Sequence, residues 1–230
     1  MQWHSLFKQF YQSMADALFP EGNVCHLCGR SADQAGILCT KCSDALNALR
    51  YEKQHIASPE RHGPVTICLS AYPHRAEARE LVHLLKYQSD CAAADLLAQS
   101  MAEALALSPL AHSRVDAIVP VPLHASRLEQ RGYNQALLLA QGISRHTGLP
   151  LMENALLRIQ PTDTQLHRDR AQRLQAMRHA FAVNQRQAVQ GLHILLADDV
   201  LTTGATAISC AHALLEAGAA SVSLLTVCRA

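Results

Sequence analysis

The sequence predicts an α/β protein: a mostly parallel sheet flanked by helices, with a small metal-binding module ahead of it. Three observations carry this expectation. Short apolar runs rich in Val, Ile and Leu alternate with segments of helical periodicity, the pattern of strands joined by crossover helices. Four cysteines near the N-terminus fall into two closely spaced pairs. The run Ile194–Ala197 is followed by two aspartates, a hydroxyl-rich turn and an apolar helical pattern. Ligands of open α/β sheets bind where strands end in this way.

The elements follow in order. Residues 1–20 place Trp3, Phe7, Phe10, Met14 and Leu18 on one face of an amphipathic helix that Pro20 ends. The four-cysteine module occupies 21–50. Residues 51–64, with Pro59, Gly63 and Pro64, read as a linker to a main domain at 65–230. Within that domain strands are expected at Val65–Ala71, Val115–Val121, Leu192–Ala197 and Val222–Val227. Helices are expected at Arg75–Lys86, about 92–107, Asn134–His146 and Ala205–Ala217. Residues 158–180 are rich in Arg and Gln and show little apolar patterning before Phe181.

Composition narrows the function. With 230 residues, 49% of them hydrophobic, the chain can build a full α/β domain plus a small module. A formal net charge of +1 gives no global field for nucleic acid or membrane. Charge is local instead: Arg158, Arg168, Arg170, Arg173, Arg178 and Arg186 stand against Asp163 and Asp169. No apolar stretch approaches the roughly 18 residues of a membrane span. The start lacks the features of a signal peptide, so the expectation is a cytoplasmic protein with reduced thiols and no membrane insertion.

Cys25, Cys28, Cys39 and Cys42 form C-x2-C-x10-C-x2-C. Each pair can place two thiolates on one tetrahedral ion, which points to structural Zn2+. A redox motif would be single and would open a helix in a βαβ unit. Four thiolates leave no open coordination position, so no catalysis is expected there. Cys68, Cys91, Cys210 and Cys228 lie in apolar surroundings and read as small packing residues.

The most informative stretch is 193–206, HILLADDVLTTGAT. A turn of Thr202, Thr203, Gly204, Ala205 and Thr206 that opens a helix presents backbone N–H groups and a positive dipole end to an anion. Asp198 and Asp199 cannot bind that anion; they suit sugar hydroxyls or a metal carried by the ligand. Phosphate on one side and hydroxyls on the other describe a ribose 5-phosphate. The rival phosphate motifs, G-x-x-x-x-G-K-[ST] and G-x-G-x-x-G, do not occur. This stretch resembles the phosphoribosyl pyrophosphate (PRPP) motif of type I phosphoribosyltransferases. The resemblance implies that the acidic pair holds ribose hydroxyls and that Thr202–Thr206 hold the 5-phosphate.

A second constellation lies at 119–136, VPVPLHASRLEQRGYNQA. A strand ending at Val121 and Pro122 frees backbone groups at a fixed place. Arg127 and Arg131 stand one helical turn apart, and paired guanidinium groups suit a pyrophosphate. Together with LKY at 85–87, RxxxTxTQ at 158–165 and the cysteine module, these motifs resemble the ComF/GntX family of competence and DNA-uptake-related, phosphoribosyltransferase-like proteins. The likeness spans nearly the whole chain. It implies PRPP bound with Mg2+ and a pyrophosphate side formed by Val121, Pro122, Arg127, Arg131 and Lys86. It also implies a flexible hood carrying Arg158, Thr162, Gln165 and Arg173. The family usually has Leu and Asn where this chain has Arg168 and Ala176. The functional expectation is transfer of phosphoribose to an acceptor that the sequence does not name, in DNA uptake or related DNA handling. The alternative is a non-catalytic, PRPP-regulated protein that binds single-stranded DNA or acts as a scaffold, with the DNA-uptake machinery as partner.

Overall fold

Side chains on a strand alternate between its two faces, so a strand buried on both faces must be apolar throughout. Residues 194–197 meet that demand: Ile194, Leu195, Leu196 and Ala197 are all buried. They lie in β5 (His193–Leu201), an inner strand of the sheet. The computed structural model describes residues 24–32, 36–50, 63–87, 90–159, 180–184 and 186–230. The expected N-terminal helix, most of the linker, and Thr162, Gln165 and Arg173 lie outside these residues.

The described elements run in the order α1 (Thr40–Arg50), β1 (Val65–Pro73), α2 (Ala76–Tyr87), α3 (Cys91–Ala106), β2 (Ala117–Pro120), α4 (Ala125–Arg131), α5 (Gln135–Thr147), β3 (Leu156–Arg158), β4 (Phe181–Val183), β5 (His193–Leu201), α6 (Ala205–Glu216) and β6 (Ser221–Arg229). The chain divides into two compact units, 1–48 and 49–230, with the boundary inside α1. In the second unit a four-stranded sheet has the order β1-β6-β5-β2, and every pair is parallel. The expectation of a parallel α/β sheet holds.

Helices cover both faces. α3 and α5 pack on each other and on the sheet, while α6 packs against the sheet and β4. Val119, Ile194, Leu196 and Leu224 join Cys210, Ala211 and Leu214 of α6 in one core cluster. By alternation, Ile118, Leu195 and Leu225 face the other way. Tyr72 is fully buried, and its hydroxyl is satisfied by Ser100 Oγ at 2.8 Å.

Two features differ from the sequence reading. β5 does not stop at Ala197 but continues through Asp198 and Asp199 to Leu201, pairing with β6 alone. A run of carboxylates looks like a strand end, yet the β6 ladder carries it further. Second, β3 and β4 form a short antiparallel pair, Leu156↔Val183 to Arg158↔Phe181. Strands of three residues separated by a long insertion leave no periodic signal.

The packing of α3 on α5 tolerates no extra volume at one point. A Cβ built on Gly142 would lie 2.3 Å from Ala98 Cβ. Gly142→Ala should therefore lower stability by about 1–3 kcal/mol through overpacking, despite the roughly 1 kcal/mol that alanine gains in a helix interior. A lowered urea midpoint at unchanged m-value is the expected result; an unchanged or raised midpoint would contradict this packing.

Candidate functional site

In β5 the ladder to β2 ends where Pro120 faces Ala197 and Val121 N–H donates to Ala197 O at 2.9 Å. Asp198 and Asp199 follow at once, so they emerge where one neighbouring strand has stopped. Alternation then separates them. Asp198 lines a recess of about 50 Å3 formed with Thr202–Thr206 and Thr226. Asp199 is buried, and its Oδ2 lies 3.2 Å from Lys86 Nζ at the end of α2.

The recess is built from the turn into α6. Gly204 sits at the helix N-cap with φ 77°, a left-handed conformation that strains any residue with a Cβ. Gly204 brings no side-chain cap to α6, and Thr203 Oγ1 accepts only a long contact from Ala205 N–H, at 3.4 Å. The first turn of a helix leaves backbone donors without intrahelical partners, so this end is suited to an external acceptor.

The second constellation lies close to the first. His124 caps α4, Asn134 caps α5, and Asn134 Nδ2 donates to Val121 O at 3.1 Å. Tyr133 O–H donates to Leu85 O, tying the loop before α5 to α2 beside Lys86. A cavity of about 510 Å3 is lined by Lys86, Tyr87, Arg127, Gln130, Arg131 and Tyr133. The Arg131 guanidinium stands 5.5 Å over the Tyr87 ring and donates to Gln135 Oε1 at 3.0 Å. Lys86 thus belongs to both clusters, on Asp199 at one side and among the arginines at the other. A larger groove of about 610 Å3, beside α3 and the end of α5, includes no Lys or Arg in its lining. It is the poorer host for phosphates.

The structure therefore brings together Asp198, Asp199, Thr202–Thr206, Lys86, Val121, Arg127 and Arg131. Arg158, at the end of β3, stacks 5.7 Å over the Phe181 ring, and its charge acts on Asp198. Asn134, which the sequence offers as a neutral donor, donates to Val121 O and positions the loop. Two contributors escaped the sequence reading: Tyr133 ties the loop to α2, and Tyr87 carries Arg131. Tyr133 stands within the motif at 119–136, but nothing in a sequence assigns a hydroxyl to a distant carbonyl.

Burial, followed by the Asp199 charge, pushes the Asp198 carboxyl up to about 8. The Asp199 N–H donated to Asp198 Oδ1 at 2.8 Å, and the charges of Lys86 and Arg158, act in the opposite direction. Burial likewise holds the Cys210 thiol high, with Asp198 adding to it. Burial and the Asp199 charge push Cys228 up to about 12.

In the N-terminal unit the sulfur atoms of Cys25, Cys28, Cys39 and Cys42 all lie within 4.8 Å of one another, with Cys28 and Cys39 at 3.6 Å. A tetrahedral Zn2+ with bonds of about 2.3 Å spaces its sulfurs about 3.8 Å apart, so the cluster fits such a metal. Arg30 Nε, 3.4 Å from Cys28 Sγ, pulls that thiol down to about 6, while burial and neighbouring sulfurs push Cys42 up to about 12. Four thiolates this close repel unless a cation stands among them.

No family model matches the chain. It is 33% identical over 210 residues to the DNA utilization protein YhgH of Salmonella typhimurium, covering 90% of each chain. It is 28% identical to competence protein F of Haemophilus influenzae, over 82% of this chain and 84% of that one. It is 27% identical to competence protein ComFC of Bacillus subtilis, over 99% of this chain and 89% of that one. Among solved structures it is similar to an allosteric regulatory enzyme of purine biosynthesis (TM-score 0.40, 23% identity). It is also similar to glutamine PRPP amidotransferase from B. subtilis (TM-score 0.39, 22% identity). These matches cover 58% and 57% of this chain and a quarter of each enzyme chain. Among the described residues no helix is long and apolar enough to cross a membrane.

Two outcomes follow. Protein purified without chelator should contain about one zinc per chain by elemental analysis, and Cys39→Ser should lose it; metal-free protein with four titratable thiols would refute the site. The raised Asp198 carboxyl has a definite linkage sign. The folded state holds this proton more tightly than the unfolded state, so stability falls as pH rises from the ordinary carboxylate range to about 8. Asp198→Asn should therefore melt higher than wild type, by a margin that widens between pH 5 and pH 8. A margin that stays flat with pH would show that Asp198 is ionised throughout.

Proposed function

Because this chain belongs to the ComF/GntX family of competence and DNA-utilization proteins, we propose that it binds PRPP with Mg2+ and transfers phosphoribose to an acceptor. The observation that carries this reading is the junction at Lys86–Asp199. There the Asp199–Lys86 contact leads to a cavity lined by Arg127 and Arg131, while Asp198, the preceding residue of β5, lines the recess at the hydroxyl-rich start of α6. A ligand with a phosphate at one end, a diol in the middle and a diphosphate at the other matches that order of groups.

In this reading Thr202, Thr203, Gly204, Ala205 and Thr206 hold the 5-phosphate with backbone N–H groups and hydroxyls. Asp198 and Asp199 accept hydrogen bonds from the ribose hydroxyls, each worth on the order of 1.5–3 kcal/mol when charge-assisted. Val121, Pro122, Lys86, Arg127 and Arg131 form the diphosphate side. Mg2+, carried by the diphosphate, would offset its charge in the cavity. During transfer the bond from ribose C1 to the diphosphate oxygen breaks as the bond to the acceptor forms. The protein's part is position and charge: guanidinium groups take up the negative charge that grows on the leaving diphosphate. Arg158 would stand on the C1 side, where the family resemblance also assigns Thr162, Gln165 and Arg173.

A second reading draws on the exposed Tyr87 ring beside Arg131 and on the relatives' names. Here the protein binds single-stranded DNA and PRPP regulates it. Pyrophosphate release with an acceptor separates the first reading from the second. Salt-dependent oligonucleotide binding, modulated by PRPP and without turnover, marks the second.

The Arg127→Ala, Arg131→Ala double variant tests the site by calorimetry in the presence of Mg2+. PRPP binding should weaken at least tenfold, while ribose 5-phosphate, which has no diphosphate, should bind as before. Equal weakening of both ligands would reduce the arginines to background charge. Failure of wild type to bind either at millimolar concentration would sink the PRPP reading.

A further inference from the structure

We propose that Lys86 is a movable cation that Asp199 holds in the free protein and that the diphosphate draws away on binding, so that it selects PRPP over ribose 5-phosphate. This rests on the PRPP reading above and assigns one residue of that site a further role. Three observations and one chemical argument support it.

Lys86 Nζ lies 3.2 Å from Asp199 Oδ2, and both side chains are largely withdrawn from water, at 23% and 8% exposure. That oxygen is buried and receives no well-aligned hydrogen bond. The contact is therefore a charge contact, with acceptor capacity left over for a donor that arrives with the ligand. A ribose hydroxyl is such a donor. Lys86 also lines the cavity with Arg127 and Arg131, so one ammonium reaches both neighbourhoods. Finally, a lysine suits this task better than an arginine. It is a point charge on a flexible four-carbon stem, whereas a guanidinium would fork onto the carboxylate and stay.

The consequence is a difference between ligands. A hydroxyl that reaches Asp199 competes with Lys86 but brings no charge to replace it. PRPP brings a diphosphate into the adjoining cavity and gives the displaced ammonium a better partner. Ribose 5-phosphate brings none, so Lys86 stays on Asp199 and opposes it. Arg131 is held by Tyr87 and Gln135 instead, and loss of the two arginines should leave ribose 5-phosphate untouched. The loss of Lys86 should not.

Calorimetry with Mg2+ on Lys86→Met and Lys86→Gln tests this. Both variants should bind PRPP at least tenfold more weakly and ribose 5-phosphate about threefold or more tightly, so that the preference collapses from both ends. Lys86→Gln keeps a hydrogen-bond donor near Asp199 and guards against a folding defect in Lys86→Met; cooperative melting of the ligand-free variants confirms that they are folded. An unchanged ribose 5-phosphate affinity would make Lys86 a static clamp like the arginines and overturn the proposal. Equal weakening of both ligands, or no change in either, would overturn it as well. If wild type binds neither ligand, the PRPP reading itself fails; if wild type binds both and only the variants depart from expectation, the Lys86 assignment alone fails.

Discussion

The hydrogen bond from Val121 N–H to Ala197 O closes the ladder between β2 and β5, and the arrangement of the site follows from where it falls. From Ile194 to Ala197, β5 is held on both edges and its side chains are apolar and buried. Beyond it, β5 runs on with β6 alone. Pro122 has no N–H with which to continue the β2 ladder. The chain after β2 is released into α4 at the same level at which β5 delivers its carboxylates. One ladder ending thus opens the space, and two loops built from distant parts of the sequence share it.

Placing adjacent carboxylates at that depth has an electrostatic cost, and the surrounding residues show how it is met. Asp199 stands against the Lys86 ammonium, while Asp198 is pushed toward the neutral form by burial and by Asp199. Arg158 and Lys86 moderate the pair without cancelling it. A site in this condition responds to what enters it. A hydroxyl donor or a cation entering it would favour ionised carboxylates, so its binding would be linked to protonation there. The recess at the start of α6 has no cationic side chain in its lining, and the first turn of that helix offers oriented N–H groups to an acceptor.

The N-terminal cysteine cluster answers a different constraint. A short module has little apolar surface to bury, and a metal bound to these cysteines would supply folding free energy that a small core cannot. Its most exposed thiol, Cys28, is the one paired with a guanidinium, from Arg30. The protein thus sets one cation of its own beside the cluster.

Local physics made several features legible in the sequence. The parallel sheet was readable because buried strands must be apolar on both faces, as at Ile194–Ala197. The turn at Thr202–Thr206 was readable because hydroxyls and a glycine before a helix have a direct meaning for the backbone. Cys25, Cys28, Cys39 and Cys42 were readable because tetrahedral coordination fixes their spacing. Arg127 and Arg131 could be placed on one face of a helix, which they share in α4. What tertiary structure alone decided was partnership across distance. The meeting of Lys86 with Asp199, of Arg131 with Tyr87, of Tyr133 with Leu85 and of β3 with β4 depends on how the helices cross the sheet. So does the end of β5, which composition placed at Ala197 and the β6 ladder carried to Leu201. Periodicity and composition describe a chain's own neighbours along the backbone; they carry no record of which side chain the folded chain will set opposite.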